Sequence, residues 1–221
     1  NARGQGGATV AAAPKSPFPP VGSRNTIHLT VEANRRQEAR GRDALPVLAD
    51  ILRLYASLTG DVPYDALTVA MVEARLPGGH APGYMAVLNN PLPTSPFSWR
   101  TDPASFSGFP EFFMAHEVAH QWFGQAVGWK NYHEQWLSEG FAQYFAALYA
   151  REARGEKAFR DILKQLRRFA IEESDEGPVY LGYRLGHIKN ESRVFRSLVY
   201  NKGAAVLHML RGFVGDDAFF R

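Results

Sequence analysis

The spacing of apolar positions changes character about halfway along the chain. Ile27, Leu29 and Val31 alternate with polar neighbours, a period of two that predicts a strand. From Asp43 to Leu58 the period lengthens: Leu45, Leu48, Ile51, Leu52, Tyr55 and Leu58 recur at helical spacing, and Gly60 closes the run. Leu67, Val69 and Met71 predict a second strand. Pro77-Gly78-Gly79 reads as a turn, and Gly83 to Leu88 as a third, edge-like strand. Asn89 to Phe109, rich in Pro, Ser and Asn, is expected to be loop. After Pro110 helical spacing dominates, with helices expected near 110–127, 137–153, 156–173 and 191–211 and an irregular connection at 174–190. Residues 1–24, with Pro14, Pro17, Pro19 and Pro20, read as a flexible tail or interdomain linker. The prediction is an α+β arrangement: a sheet-bearing lobe over 25–109, a helical lobe over 110–221, and a cleft between them.

Composition narrows the chemistry. The chain has 221 residues, 45% of them hydrophobic, which suffices for a core. It has no Cys, so disulfides, thiolate metal sites and a catalytic thiol are excluded. A metal site must draw on seven His and 22 Asp plus Glu. The net charge of +3 gives little direction, because the basic excess is concentrated in the first 42 residues. The stretch holding Arg35, Arg36, Arg40 and Arg42 has no aromatics for base stacking and reads as a solvated loop, so no nucleic-acid partner is expected. No apolar run approaches the ~18–20 residues of a membrane span. Ala11-Ala12-Ala13 is too short for a signal core, and no compartment is predicted.

The informative motif is His116-Glu117-Val118-Ala119-His120. Four residues turn a helix by about 400°, so both imidazoles leave one face about a turn apart, as two ligands of a tetrahedral Zn²⁺. Glu117 projects beside that pair, placed to take a proton from a metal-activated water. A third ligand is then required. Phe123 and Ala126 stand where a metzincin would need Gly and His, so that class is excluded. Glu139, nineteen residues after His120, lies in Trp136-Leu137-Ser138-Glu139-Gly140-Phe141-Ala142. It reads either as a first-turn acid after an N-capping Ser138 or as the ligand. The helix it opens is apolar nearly all round, from Phe141 to Tyr149, and a buried carboxylate needs a cation, which favours the ligand.

These blocks, together with Tyr200-Asn201-Lys202-Gly203-Ala204 sixty-one residues after Glu139, resemble the gluzincin aminopeptidases related to aminopeptidase N. The resemblance implies a thermolysin-like zincin catalytic domain over 25–221 that hydrolyses peptide or protein substrates. It implies one Zn²⁺ per chain held by His116, His120 and Glu139, with Glu117 as general base and Tyr200 as oxyanion donor. It also implies that this is the central portion of a longer protein, flanked by a β-rich domain before it and a helical domain after it.

One stretch departs from the family. Its Gly-x-Met-Glu-Asn loop, whose glutamate helps hold the substrate's α-amine, aligns with Gly83-Tyr84-Met85-Ala86-Val87. Gly83, Tyr84, Met85 and Ala86 are therefore the candidate substrate-binding residues, the backbone of Gly83 to Met85 pairing with an extended peptide. With Ala86 in place of glutamate, the amine loses a charge-assisted bond of ~1.5–3 kcal/mol. An endopeptidase, a peptidase of unusual specificity, or a peptide-binding module without turnover are the alternatives. Glu73 and Glu111 are possible substitute anchors. Asn131, His133, Glu134 and Gln143 are candidates for orienting the ligands. His28, His80, His187 and His208 are isolated and read as ordinary surface or core residues.

Overall fold

Strand β2 (Thr26–Ala33) buries Ile27 and Leu29 and exposes Thr26 and His28, as its period of two requires. It pairs in parallel with β3 (Ala66–Glu73), Val31 opposite Val69. β3 pairs in parallel with β4 (Met85–Asn90), Val69 opposite Ala86. On the other edge of β2 lies β1 (Ala8–Ala11), antiparallel, with Thr9 opposite His28. The sheet order is β1-β2-β3-β4. The computed structural model describes residues 8–11, 26–73, 79–90, 106, 108–181 and 192–221. Most of the expected 89–109 loop and of the 174–190 connection, with Pro77, Gly78 and His187, lies outside these residues. β1 falls within 1–24, the stretch expected to be a flexible tail or interdomain linker, whose other residues lie outside the described ones. Thr9 and Val10 are its only β-favouring residues, too few for a period to show in the sequence.

A parallel pair needs a crossover, and helix α1 (Glu38–Thr59) makes it between β2 and β3. It begins five residues before the expected Asp43. It ends at Gly60, whose φ of 72° lets its N–H reach Ala56 O at 2.9 Å. Leu48, Ile51, Leu52 and Tyr55 of α1 enter one core with the sheet and the later helices. Tyr55 joins the layers. Fully buried, it donates its hydroxyl to Ala115 O at 2.9 Å and meets Trp122 and Phe145 edge-on at 5.8 and 5.4 Å.

Helix α2 (Glu111–Ala119) is shorter than the expected 110–127. After it the backbone tightens, with Gln121 and Trp122 bonding three residues back to Val118 and Ala119. It then turns through Gly124 at φ 114°, a conformation suited to glycine. Trp122, which continues the helical pattern in sequence, instead plugs this turn with its Nε1–H on Asp61 O at 3.0 Å. Helices α3 (Trp136–Arg154) and α4 (Glu156–Glu172) match expectation. The expected 191–211 helix is instead three pieces: α5 (Ser192–Phe195), a π-helical stretch (Arg196–Lys202) and α6 (Gly203–Val214). A short α7 (Asp216–Phe219) follows. The result is a mixed α/β fold with a small, largely parallel sheet and mostly helices. Among the described residues, no helix is long and apolar enough to cross a membrane.

Candidate metal centre

α2 and α3 supply the cluster that the spacing anticipates. His116 Nε2 lies 3.2 Å from His120 Nε2 and 3.2 Å from Glu139 Oε2, and His120 Nε2 lies 3.3 Å from the same oxygen. These three atoms form a nearly equilateral triangle with no protein atom needed between them. Tetrahedral zinc with bonds of about 2.0–2.1 Å sets its ligand atoms about 3.3–3.4 Å apart, so the donor set fits the ion in number, type and spacing. Among the described residues this is the one group of His and carboxylates able to hold a metal.

The surroundings fix how His120 is used. Its Nδ1 lies 3.0 Å from Phe123 O and 3.1 Å from Ser138 Oγ. A carbonyl only accepts, so Nδ1 carries the proton and the Nε2 lone pair faces Glu139 and His116. Ser138 does not cap α3. Its hydroxyl donates to Phe123 O at 2.9 Å and completes this support. Gly124 makes room for it, since a Cβ there would fall 2.5 Å from Ser138 Oγ. Sequence reading missed this function for Ser138 because the partner carbonyl lies on a different element.

Electrostatics couple His120 to Glu139. Burial alone would push His120 toward its neutral form. The Glu139 carboxylate outweighs it and, with Glu117 and the Phe123 carbonyl, raises the pKa from 6.5 to about 9. Burial would likewise raise Glu139, but His120 and His116 hold its carboxyl well below the usual carboxylate range. Glu139 keeps its charge and draws a proton onto His120, the proton a divalent ion would displace on binding.

The other expected residues divide. Glu117 is buried in the same helix, and Tyr200 stacks nearly parallel on His116, ring centroids 5.7 Å apart with a 9° interplanar angle. Tyr200 sits in the π-helical stretch, and π-turns recur at functional sites. Its neighbour Asn201 accepts a bond from Gln143 Nε2 at 3.1 Å. Ala86 is fully buried, in the core that α1, α2 and α3 share. The backbone of Tyr84 and Met85, expected to pair with a peptide, already has partners within the fold. Tyr84 N–H donates to Gln121 Oε1, Tyr84 O accepts from Thr68, Met85 N–H donates to Pro82 O, and Met85 O accepts from Gln121. What that segment still offers outward is the exposed side chains of Tyr84 and Met85. The residue that reaches Glu117 is Gly79: a Cβ there would lie 2.2 Å from the Glu117 carboxyl carbon. Glu111 is paired with Arg154 at 3.1 Å, and His133 Nδ1 lies 3.1 Å from Tyr180 O. Asn131 accepts from His133 N–H, and Glu134 from Lys130 N–H.

Comparison with known proteins agrees with the geometry. The peptidase family M1 domain matches residues 111–221, half of the chain. Aminopeptidase Ey of Gallus gallus is 36% identical over 111 residues, covering 48% of this chain and 11% of that protein. Endoplasmic reticulum aminopeptidase 2 of Homo sapiens is 31% identical over 124 residues, covering 56% and 13% respectively. The solved M1 zinc metallopeptidase of Deinococcus radiodurans aligns with a TM-score of 0.61 at 25% identity, over 97% of this chain and 42% of that one. The chain thus spans about a tenth of the length of these curated relatives and less than half of the structural neighbour. With a metal-ready triangle inside the matched segment, the chain belongs to peptidase family M1, the gluzincin family of zinc metallopeptidases related to aminopeptidase N.

Proposed function

We propose that this chain carries the catalytic centre of a zinc-dependent, aminopeptidase-like enzyme that hydrolyses peptide bonds with water. His116, His120 and Glu139 hold one zinc ion. The observation that carries the reading is their triangle of donor atoms, 3.2–3.3 Å on an edge. When bound, zinc supplies a Lewis acid that makes water a nucleophile near neutral pH. Glu117, next to the first ligand and buried, accepts the proton of the attacking water and returns it to the leaving amine. Tyr200, stacked on His116, donates a hydrogen bond from its phenol to the carbonyl oxygen as negative charge develops there.

In this reading residues 25–109 form the sheet-bearing lobe and 110–221 the helical zinc lobe of a thermolysin-like zincin domain. The substrate cleft lies between them, with residues 1–24 outside apart from β1. A peptide with a free α-amino group is the substrate class. With Ala86 where the family carries a glutamate, an endopeptidase or a peptidase of unusual specificity is the second reading.

Glu117→Gln keeps the shape and removes the base. It is expected to retain one zinc per chain and lower kcat by about 10²–10⁴-fold. Wild-type kcat in this variant would reject Glu117 as the base. Paired assays of one peptide with a free and an acetylated amino terminus should favour the free form, and preference for the acetylated form would reject the aminopeptidase label.

A further inference from the structure

Helix α2 and the turn that ends it present two pairs spaced four residues apart. His116 and His120 converge on Glu139, while Glu117 and Gln121, offset by one position, both meet the segment 79–85 ahead of β4. That segment belongs to a hairpin. His80 and Val87 exchange two backbone hydrogen bonds of 3.1 and 2.6 Å, and Met85 N–H donates to Pro82 O at 3.0 Å. Within the turn Tyr84 has φ 68°, a left-handed conformation that costs a residue with a Cβ roughly 1–2 kcal/mol.

Gln121 is 3% exposed and commits its whole side-chain amide to this turn. Its Oε1 accepts from Tyr84 N–H at 2.9 Å, and its Nε2 donates to Pro82 O at 3.2 Å and to Met85 O at 3.0 Å. Upstream in the same segment, Gly79 lies against Glu117 so closely that a Cβ would be 2.2 Å from both Cδ and Oε1. Backbone this near leaves the carboxyl group little freedom on that side.

We propose that Gln121 is a positioning residue. By clamping the 82–85 turn it holds Gly79 against the Glu117 carboxyl group and keeps that group in its working position. The proposal rests on the reading of Glu117 as general base, and Gln121 acts through the hairpin.

The test uses the full-length, zinc-loaded protein. Gln121→Ala removes all three bonds. Amide hydrogen exchange over residues 80–87 should accelerate by about tenfold or more, with zinc content unchanged. In the same variant kcat should fall by about 10–100-fold while KM moves by less than about threefold. Adding Tyr84→Gly relieves the left-handed strain and should recover part of both the exchange protection and kcat, a rescue that a general loss of packing would not show. If Gln121→Ala fails to fold, Gln121→Glu is read the same way, since it keeps the Tyr84 contact and loses the two donors. Unchanged exchange overturns the proposal, as does accelerated exchange with wild-type kcat. Failure of the parent reading is separately visible: it shows as wild-type kcat in Glu117→Gln, whatever the hairpin exchange does.

Discussion

At the scale of single residues, His120 is where proton and metal compete. Its pKa of about 9 lies above the ordinary 6.5, so in the metal-free protein it is charged at pH 7. The resulting pairing with Glu139 stabilises the metal-free fold fully from pH 6.5 down to the ordinary carboxylate range, weakens at more acid pH as Glu139 protonates, and is lost as pH rises through about 9. Zinc must expel that proton. Its apparent affinity should therefore rise by about tenfold per pH unit between pH 7 and about 9, then flatten. Competition titrations against a chromophoric chelator across this range would show it, and a pH-independent affinity would contradict the arrangement. The His116 and His120 half of the donor cluster was legible in sequence, because positions four apart at a helix end leave on one face. Ser138, Gln121 and Gly79 were not. Their partners are the Phe123 carbonyl, the 82–85 turn and the Glu117 carboxyl group, and no local period records a contact between separate elements.

At the scale of elements, the meeting of α3 with the start of α6 sets Tyr200 against the zinc ligands. Gly140 and Gly203 form that crossing. A Cβ on Gly140 would stand 3.0 Å from the Gly203 Cα and carbonyl carbon, and one on Gly203 would stand 3.1 Å from the Gly140 Cα. Backbone cannot yield as a side-chain tip can. Gly140→Ala should cost about 1–3 kcal/mol in urea unfolding. Gly212→Ala, on α6 with nothing within 4 Å of its Cβ, should instead stabilise by up to about 1 kcal/mol. Equal effects of the two would show that the crossing is not tight. Helix ends were legible where a left-handed glycine makes them, as at Gly60. They were not legible where the hydrogen-bond ladder tightens after Ala119 or widens over 196–202, because apolar spacing barely changes there.

At the scale of the whole molecule, the ligands come from α2 and α3, which share a core with α1 and the sheet through Tyr55, Trp122 and Phe145. A bound ion therefore ties two helices of one cooperative core. Free zinc at a thousand times its Kd stabilises by about 4 kcal/mol, worth roughly 8–16 °C in Tm for a domain of this size. Chelation should lower Tm by that order, and calorimetry with and without chelator would measure it. An unchanged Tm would separate the site from the core. The sheet-then-helix order was legible from the change of apolar period. β1 was not, since two β-favouring residues make no pattern.

The central claim is one zinc ion held jointly by His116, His120 and Glu139. An anomalous difference map collected at the zinc edge from crystals of the full-length protein tests it most directly. The account predicts a single strong peak about 2 Å from His116 Nε2, His120 Nε2 and a Glu139 carboxylate oxygen. Zinc-containing crystals with no peak there, or with the ion held by other residues, would contradict it.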